Sequence, residues 1–268
     1  MLGGLHALVL TGRASWADLD SALADAELPR LARRPIQTNE VRRSWTLLPC
    51  FLELARRTGA TTLDLVELGS SAGFNLIWDQ YRYRYVAGTW GRPDSRLELE
   101  GQERTPVAAA LLSLMPQVRA RIGVDLDPIG VETDEGALRL RSFVWPGQPG
   151  RMERLDLAID AVRRDPPQLV RGDLVEVLPR LLAGRAPDAL TVVFQTAVLG
   201  YLGDAGWTRV QELLAEAGRS GSLAFVWTAR PAEHVHDYWG LWLQLWPDSG
   251  PEIVAHADFH GAWLDWLG

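Results

Sequence analysis

The stretch from residue 63 to 79, LDLVELGSSAGFNLIWD, constrains this chain more than any other. A strand-like run from Leu63 to Leu68 meets a loop of Gly69, Ser70, Ser71, Ala72 and Gly73, and an apolar helical pattern follows. The segment reads as strand, tight turn and helix. Small residues let the backbone approach a ligand closely, and the amides that open a helix point towards it. Glu67, two residues before the first glycine, narrows the choice of ligand. A carboxylate at a strand tip repels a bare phosphate but accepts hydrogen bonds from an ammonium group or a ribose hydroxyl. The loop therefore suits a cationic, ribose-bearing cofactor better than a triphosphate.

Three other loop types compete for the same residues. The phosphate-binding GxxxxGK[ST] is excluded, because Asn75 stands where its lysine belongs. The dinucleotide GxGxxG is missed, with Ser71 in place of its second glycine and Phe74 in place of its third. The serine-hydrolase elbow GxSxG is matched in full by Gly69, Ser70, Ser71, Ala72 and Gly73, in the strand-to-helix context it requires. Small residues also fill tight strand-to-helix turns that hold no ligand.

With 268 residues and 47% apolar composition, the chain has the material for one large domain with a substantial core. A net charge of -7 argues against a general nucleic-acid binder, which needs a basic field to neutralise phosphates. The one basic cluster, Arg30, Arg33, Arg34, Arg42 and Arg43, is expected to be a solvated, salt-bridged face. A single cysteine, Cys50, excludes an internal disulfide and a cysteine zinc cluster, and its apolar neighbours mark it as an inert buried thiol. No metal site is expected. No run of about eighteen apolar residues is present, so no membrane association is expected. The opening, MLGGLHALVLTG, has no basic flank or clear cleavage site, so a cytoplasmic protein is expected. That opening starts abruptly in an apolar helical pattern, so Met1 is not expected to be the natural beginning of the domain.

Taken in order, residues 1–60 read as a helical flank. Trp16 to Ala26 forms one of its helices, and Thr38 caps another that runs from Asn39 to about Thr58, kinked at Pro49 and ended by Gly59. Residues 61–268 carry the sheet. An inserted β-hairpin at about 80–104 places Tyr81, Tyr83 and Tyr85 on one face, expected to pack on the body of the domain. A strand from Arg119 to Val124 ends in Asp125, Leu126, Asp127 and Pro128, and an acid in that place either binds a ribose or caps a helix. Ser142 to Trp145 reads as a short extended piece, followed by a helix from Arg151 to Arg164.

Gln168 to Arg171 is a short strand opening on Gly172 and Asp173, and Val175 to Leu182 returns to helix. Leu190 to Phe194 is a fully buried strand followed by Gln195 and Thr196, and Leu223 to Trp227 is another strand after a helix. Trp239 to Trp246 and Glu252 to Phe259 then alternate about a PDSGP turn and read as an antiparallel hairpin. The expected fold is α/β, a mostly parallel sheet with one reversed strand in a C-terminal hairpin. The tail tryptophans Trp239, Trp242, Trp246, Trp263 and Trp266 serve either core packing or a partner surface.

The order of these motifs resembles the class I S-adenosylmethionine-dependent methyltransferases, with VELGSSAG as their first motif, GVDLDP as the second, VRGDLVEVLP as the third and DALTVVFQTAVLGYL as the fourth strand with its substrate-side loop. TNEVRRS, ELGSSAGFNL, GVDLDP and VWPGQPGR together also resemble an uncharacterised bacterial family of unknown function, over nearly the whole chain. The first resemblance implies a Rossmann-like methyltransferase fold and S-adenosylmethionine as cofactor. It implies that Glu67, Gly69, Ser71 and Gly73 hold the methionine end and ribose, Asp125 the ribose hydroxyls, Asp173 the adenine, and Gln195 or Thr196 the reacting face, with Ser70, Asn75, Leu126 and Leu174 beside them. The sequence departs from the pattern in having Ser71 for the middle glycine and a long insertion between Glu67 and Asp125.

Methyl transfer needs alignment and exclusion of water rather than a metal. Tyr201, His234 and His236, which follow late strands, are the candidate general bases, and the acceptor is expected to be a small molecule. A hydrolase would instead use Ser71, with an acid such as Asp204 and His234, His236 or His260. A non-catalytic or cofactor-binding module on the same fold is the third reading.

Overall fold

The computed structural model describes residues 1–35, 37, 40–230, 237–247 and 249–268. Three short helices open the chain: α1 (Leu2–Leu10), α2 (Leu19–Ala24), begun by the Asp18 side chain accepting from the Ser21 amide, and α3 (Leu28–Ala32). They bury a small cluster of their own around Leu5, Leu8, Ala22 and Leu28. Helix α4 (Arg43–Thr58) belongs instead to the main core, buried from Arg43 to Ala55, and ends at Gly59 in the left-handed conformation that a side chain disfavours. The helix runs on through Pro49 without interruption of its assignment. The expected cap Thr38 lies outside the described residues.

Strand β1 (Thr62–Leu68) follows, then the glycine loop and a 3-10 helix from Phe74 to Gln80. The inserted segment is more than a hairpin. Strands β2 (Arg82–Tyr85), β3 (Gly88–Gly91) and β4 (Glu98–Glu100) form a separate three-stranded sheet in the order β3-β2-β4. Strand β5 (Gln102–Thr105) crosses to the edge of the main sheet. The tyrosines do pack inward, each hydroxyl donating to a main-chain carbonyl: Tyr81 to Phe74 at 2.9 Å, Tyr83 to Trp78 at 2.7 Å, and Tyr85 to Trp45. Buried hydroxyls paired in this way add register to the apolar contact.

Helix α5 (Ala109–Leu112) leads to β6 (Gln117–Asp125). Helix α6 (Asp134–Ser142), capped by Thr133, ends where an extended piece was expected from Ser142, and α7 (Pro149–Arg164) follows. Then come β7 (Gln168–Arg171), α8 (Leu174–Ala183), β8 (Leu190–Gln195), α9 (Leu199–Gly218), β9 (Leu223–Ala229), β10 (Trp239–Trp246), β11 (Glu252–Ala257) and β12 (Trp263–Trp266).

Among the described residues the main sheet has nine strands in the order β5-β12-β11-β10-β9-β8-β1-β6-β7. Strands β7, β6, β1, β8 and β9 are mutually parallel. The chain steps outward from β1 through β6 to β7, then returns to β8 on the other side, so a topological switch point lies between β1 and β8. Ligands of open α/β sheets bind beyond the strand ends at such a point.

The expectation of one reversed strand is corrected to three, β10, β12 and β5: β10 runs antiparallel to β9, β11 turns back to run with the parallel strands, β12 is antiparallel to β11, and β5 lies parallel to β12. The tail is therefore a three-stranded meander, because Trp263 to Trp266 pairs back on β11. Its tryptophans mostly pack: Trp242 stacks on Trp227 with centroids 5.8 Å apart, and Trp266 is buried. No helix among the described residues is long and apolar enough to cross a membrane.

Candidate functional site

The carboxyl ends of the parallel strands share one edge, where the register sets Glu67 beside Gly123 and Phe194, and Asp125 beside Arg171. Above the switch point lies a small cleft of about 30 Å³, lined by Glu40, Arg43, Glu67, Gly69, Ser70, Ser71, Phe74, Asn75 and Thr196. That volume holds a few waters or one small polar group and lies well below the roughly 300 to 1,000 Å³ of clefts that enclose a whole ligand.

The loop's backbone explains its composition. Gly69, Ser71 and Gly73 all have positive φ, at 72°, 50° and 74°. The middle residue thus keeps the left-handed conformation of a glycine while carrying a side chain, at a penalty of roughly 1–2 kcal/mol. A Cβ at Gly69 would come within 2.5 Å of Val198 Cγ2, so the first glycine also permits close packing on the loop after β8. Gly123, on the neighbouring strand, leaves room for Ser70, whose Oγ would lie 2.3 Å from a Cβ there.

Glu67 is the electrostatic centre. It is 2% exposed, and its Oε1 accepts from Asn75 Nδ2 at 3.0 Å, while Asn75 Oδ1 accepts from Ser44 Oγ at 2.9 Å. Among the described residues its Oε2 has no partner. Burial pushes the Glu67 carboxyl up to about 8; the Asn75 hydrogen bond and the Arg43 charge pull down, and Asp125 pushes up. The ligand-free carboxyl is therefore largely protonated near neutral pH.

Arg43, at the start of α4, enters the same cleft. It is 7% exposed, its Nε donates to Phe259 O at 2.9 Å, and its guanidinium lies 4.7 Å from the centre of the Trp239 ring. Burial lowers its pKa to about 10, with Glu40 opposing that shift. Glu40 is itself buried and paired with Arg151 at 2.8 Å and Arg154 at 3.8 Å. Arg43 corrects the expectation of a solvated basic face, which holds for Arg30, paired with Glu27; Arg34 is paired with Glu135 but mostly buried. Basic spacing alone does not separate Arg43 from its exposed neighbours. Its place inside TNEVRRS, one of the motifs that carry the family resemblance, is the signal that does.

The other expected residues divide. Asp125 stands at the tip of β6, its Oδ2 accepting from the Ser71 amide and its Oδ1 from the Asp127 amide, both at 2.8 Å. It holds the glycine loop against the second strand and retains lone pairs for a further donor, though it is not among the residues that line the cleft. Asp173 is exposed and caps α8, accepting from the Val175 amide at 2.8 Å, while Leu174 is buried beneath α8. Leu126 is 70% exposed and outside the cleft. Gln195 is fully buried and ties β9 to the loop after β8, donating to Thr228 O at 2.9 Å and accepting from the Val198 amide at 3.0 Å. It is Thr196, not Gln195, that lines the cleft. Tyr201, 82% exposed on α9, is not among the lining residues, which argues against it as a base. His234 and His236 lie outside the described residues.

The hydrolase arrangement finds no support in the hydroxyl of Ser71. Its Oγ donates at 2.6 Å to Gln37 Oε1, an amide oxygen with no basicity to activate it. Gln37 Nε2 donates to Asp127 O at 2.9 Å, so the segment before α4 straps the glycine loop to the turn after β6. Asp204 and His260 are exposed. Among the described residues no group of three His, Cys, Asp or Glu side chains could hold a metal ion.

Among solved structures, one similar chain is a S-adenosylmethionine-dependent methyltransferase from Clostridium acetobutylicum ATCC 824, at 10% identity, 88% coverage of this chain, 76% of that chain and a TM-score of 0.28. At that score the superposition adds nothing to the strand order and the loop geometry. No curated protein matches the sequence. Residues 1–266 match the family described as "Uncharacterized protein conserved in bacteria (DUF2332)", and the chain belongs to that family.

Proposed function

We propose that this protein is an S-adenosylmethionine-dependent methyltransferase acting on a small-molecule acceptor. The observation that carries the reading is the unpartnered, buried Glu67 Oε2 beside a loop with three left-handed residues, at the switch point of a parallel sheet. An ammonium group would supply the missing partner and favour the ionised carboxylate. The residues fit the cofactor: Glu67 would hold the methionyl ammonium, Gly69 and Ser71 would floor the site with main chain, and Asp125 would accept from the ribose hydroxyls.

The cofactor supplies an activated methyl group. The chain's own part is orientation and dryness. Asn75 aims the Glu67 carboxylate, and Thr196, at the end of β8, borders the side on which an acceptor would approach. The Gln37 strap favours a second reading, a cofactor-binding module without turnover, because it covers the loop that the cofactor would touch.

Calorimetric titration with S-adenosylmethionine and S-adenosylhomocysteine tests the proposal, with Glu67→Gln as control. Micromolar binding lost in the variant is expected. No heat at millimolar ligand would sink both readings, and binding without methyl transfer to any acceptor in a metabolite panel would favour the second.

A further inference from the structure

The cleft is lined by two buried polar groups, a guanidinium and a carboxyl, with open valences. Among the described residues, the Arg43 guanidinium makes one hydrogen bond, from Nε to Phe259 O, and no ion pair within 4.0 Å. Arg43 is one of the residues that line the cleft. The nearest acid on its own segment, Glu40, is taken by Arg151 and Arg154. Trp239 lies against the guanidinium plane and fixes its direction. Glu67 lines the same small space and carries a buried Oε2 that has no partner among the described residues.

A fork of two N–H groups is the partner of a carboxylate, and a lone carboxylate oxygen is the partner of an ammonium. We propose that Arg43 and Glu67 together form a subsite for an α-amino-acid head group, with Arg43 clamping its carboxylate and Glu67 its ammonium. The location rests on the methyltransferase reading, but the chemistry does not, since the zwitterion arrives either as the methionyl end of the cofactor or as a free amino-acid acceptor. Arg43 thereby becomes a specificity-determining residue. A ligand with only one of the two charges leaves the other buried group uncompensated, which is the larger part of the discrimination.

The test compares S-adenosylhomocysteine with methylthioadenosine, which keeps the nucleoside and lacks the amino-acid group, by calorimetry on the full chain. The wild type is expected to favour S-adenosylhomocysteine by about 100-fold, the worth of a charge-assisted pair of hydrogen bonds. Arg43→Met should bring S-adenosylhomocysteine down to the level of methylthioadenosine without weakening the latter, and Arg43→Lys, with charge but no fork, should fall between. If the two nucleosides bind the wild type equally while a free α-amino acid binds the loaded protein in an Arg43-dependent manner, the acceptor brings the zwitterion and the proposal stands. If no nucleoside binds but free methionine does, with the same dependence, the methyltransferase reading falls and the subsite remains. Equal binding of the two nucleosides with no α-amino acid bound at millimolar concentration overturns the subsite. The wild-type comparison needs no variant, so a poorly folding Arg43→Met leaves the test intact.

Discussion

Asn75 Nδ2 holds one oxygen of Glu67 at 3.0 Å, and among the described residues the other has no partner. A carboxyl half-satisfied in this way, with burial raising it to about 8, is poised to lose its proton when a cation arrives. Binding of an ammonium-bearing ligand should therefore release a proton, and affinity should rise as the pH approaches about 8 and level off above it. Titrations in two buffers of different ionisation enthalpy should give different heats for the wild type and equal heats for Glu67→Gln. Buffer-independent heats in the wild type would contradict the assignment.

The same group affects stability without ligand. Its folded value of about 8 lies above the ordinary 4.5, so the folded state binds more protons between the two. Its contribution is fully present below the unfolded value and is lost as the pH rises through the folded one. Glu67→Gln, which cannot ionise, should match the wild type in mild acid and exceed it in mild alkali by on the order of 1–3 kcal/mol. Urea unfolding at both pH values measures this. A difference that does not change with pH would count against a buried, ionisable Glu67.

Gly123 and Ser70 share one small volume. A methyl group at residue 123 would meet Ser70 Oγ at 2.3 Å, Ser70 Cβ at 2.6 Å and Leu169 Cδ2 at 2.9 Å. Gly123→Ala should therefore lower stability by about 1–3 kcal/mol and displace the loop. Adding Ser70→Gly should recover much of that loss, because it removes two of the three clashes. Non-additivity in a double-mutant cycle is the readout, and strict additivity would place the strain elsewhere.

Ser71 combines an unfavourable backbone with a favourable side-chain contact. Ser71→Ala keeps the positive φ and loses the bond to Gln37, worth about 1 kcal/mol. Ser71→Gly loses the same bond but removes the left-handed penalty, also about 1 kcal/mol. The expected order of stability is Gly close to Ser, with Ala lowest. Thermal unfolding decides it, and Ala above Gly would mean that residue 71 is not held left-handed. A fluorophosphonate probe is expected to leave Ser71 unlabelled, and labelling would restore the hydrolase reading.

Much of the sheet was legible because local patterns and tertiary burial agree there. The strands Gln168–Arg171 and Trp239–Trp246 match their expected bounds, and Leu190–Gln195 extends its own by one residue. The insertion and the tail were less legible. Whether β5 pairs with β4 or leaves for β12, and whether β12 extends the sheet, depends on partners more than 150 residues apart, such as Leu264 and Glu103. Short strands carry no mark of their distant neighbours.

The sequence by itself determined the strand, glycine loop and helical turn, the acid two residues before the first glycine, and the acids at the ends of the second and third parallel strands. These are local, and chain geometry alone places them at strand tips. Only the tertiary structure decided which tips remain available to a ligand. It gave Asp125 to two backbone amides, Asp173 to a helix cap and Gln195 to β9 and the loop after β8, and left Glu67, in the cleft that Arg43 also lines, with one oxygen unpartnered among the described residues. A hydrogen-bonding group's competitors are set by what packs against it, and those neighbours come from elsewhere in the chain.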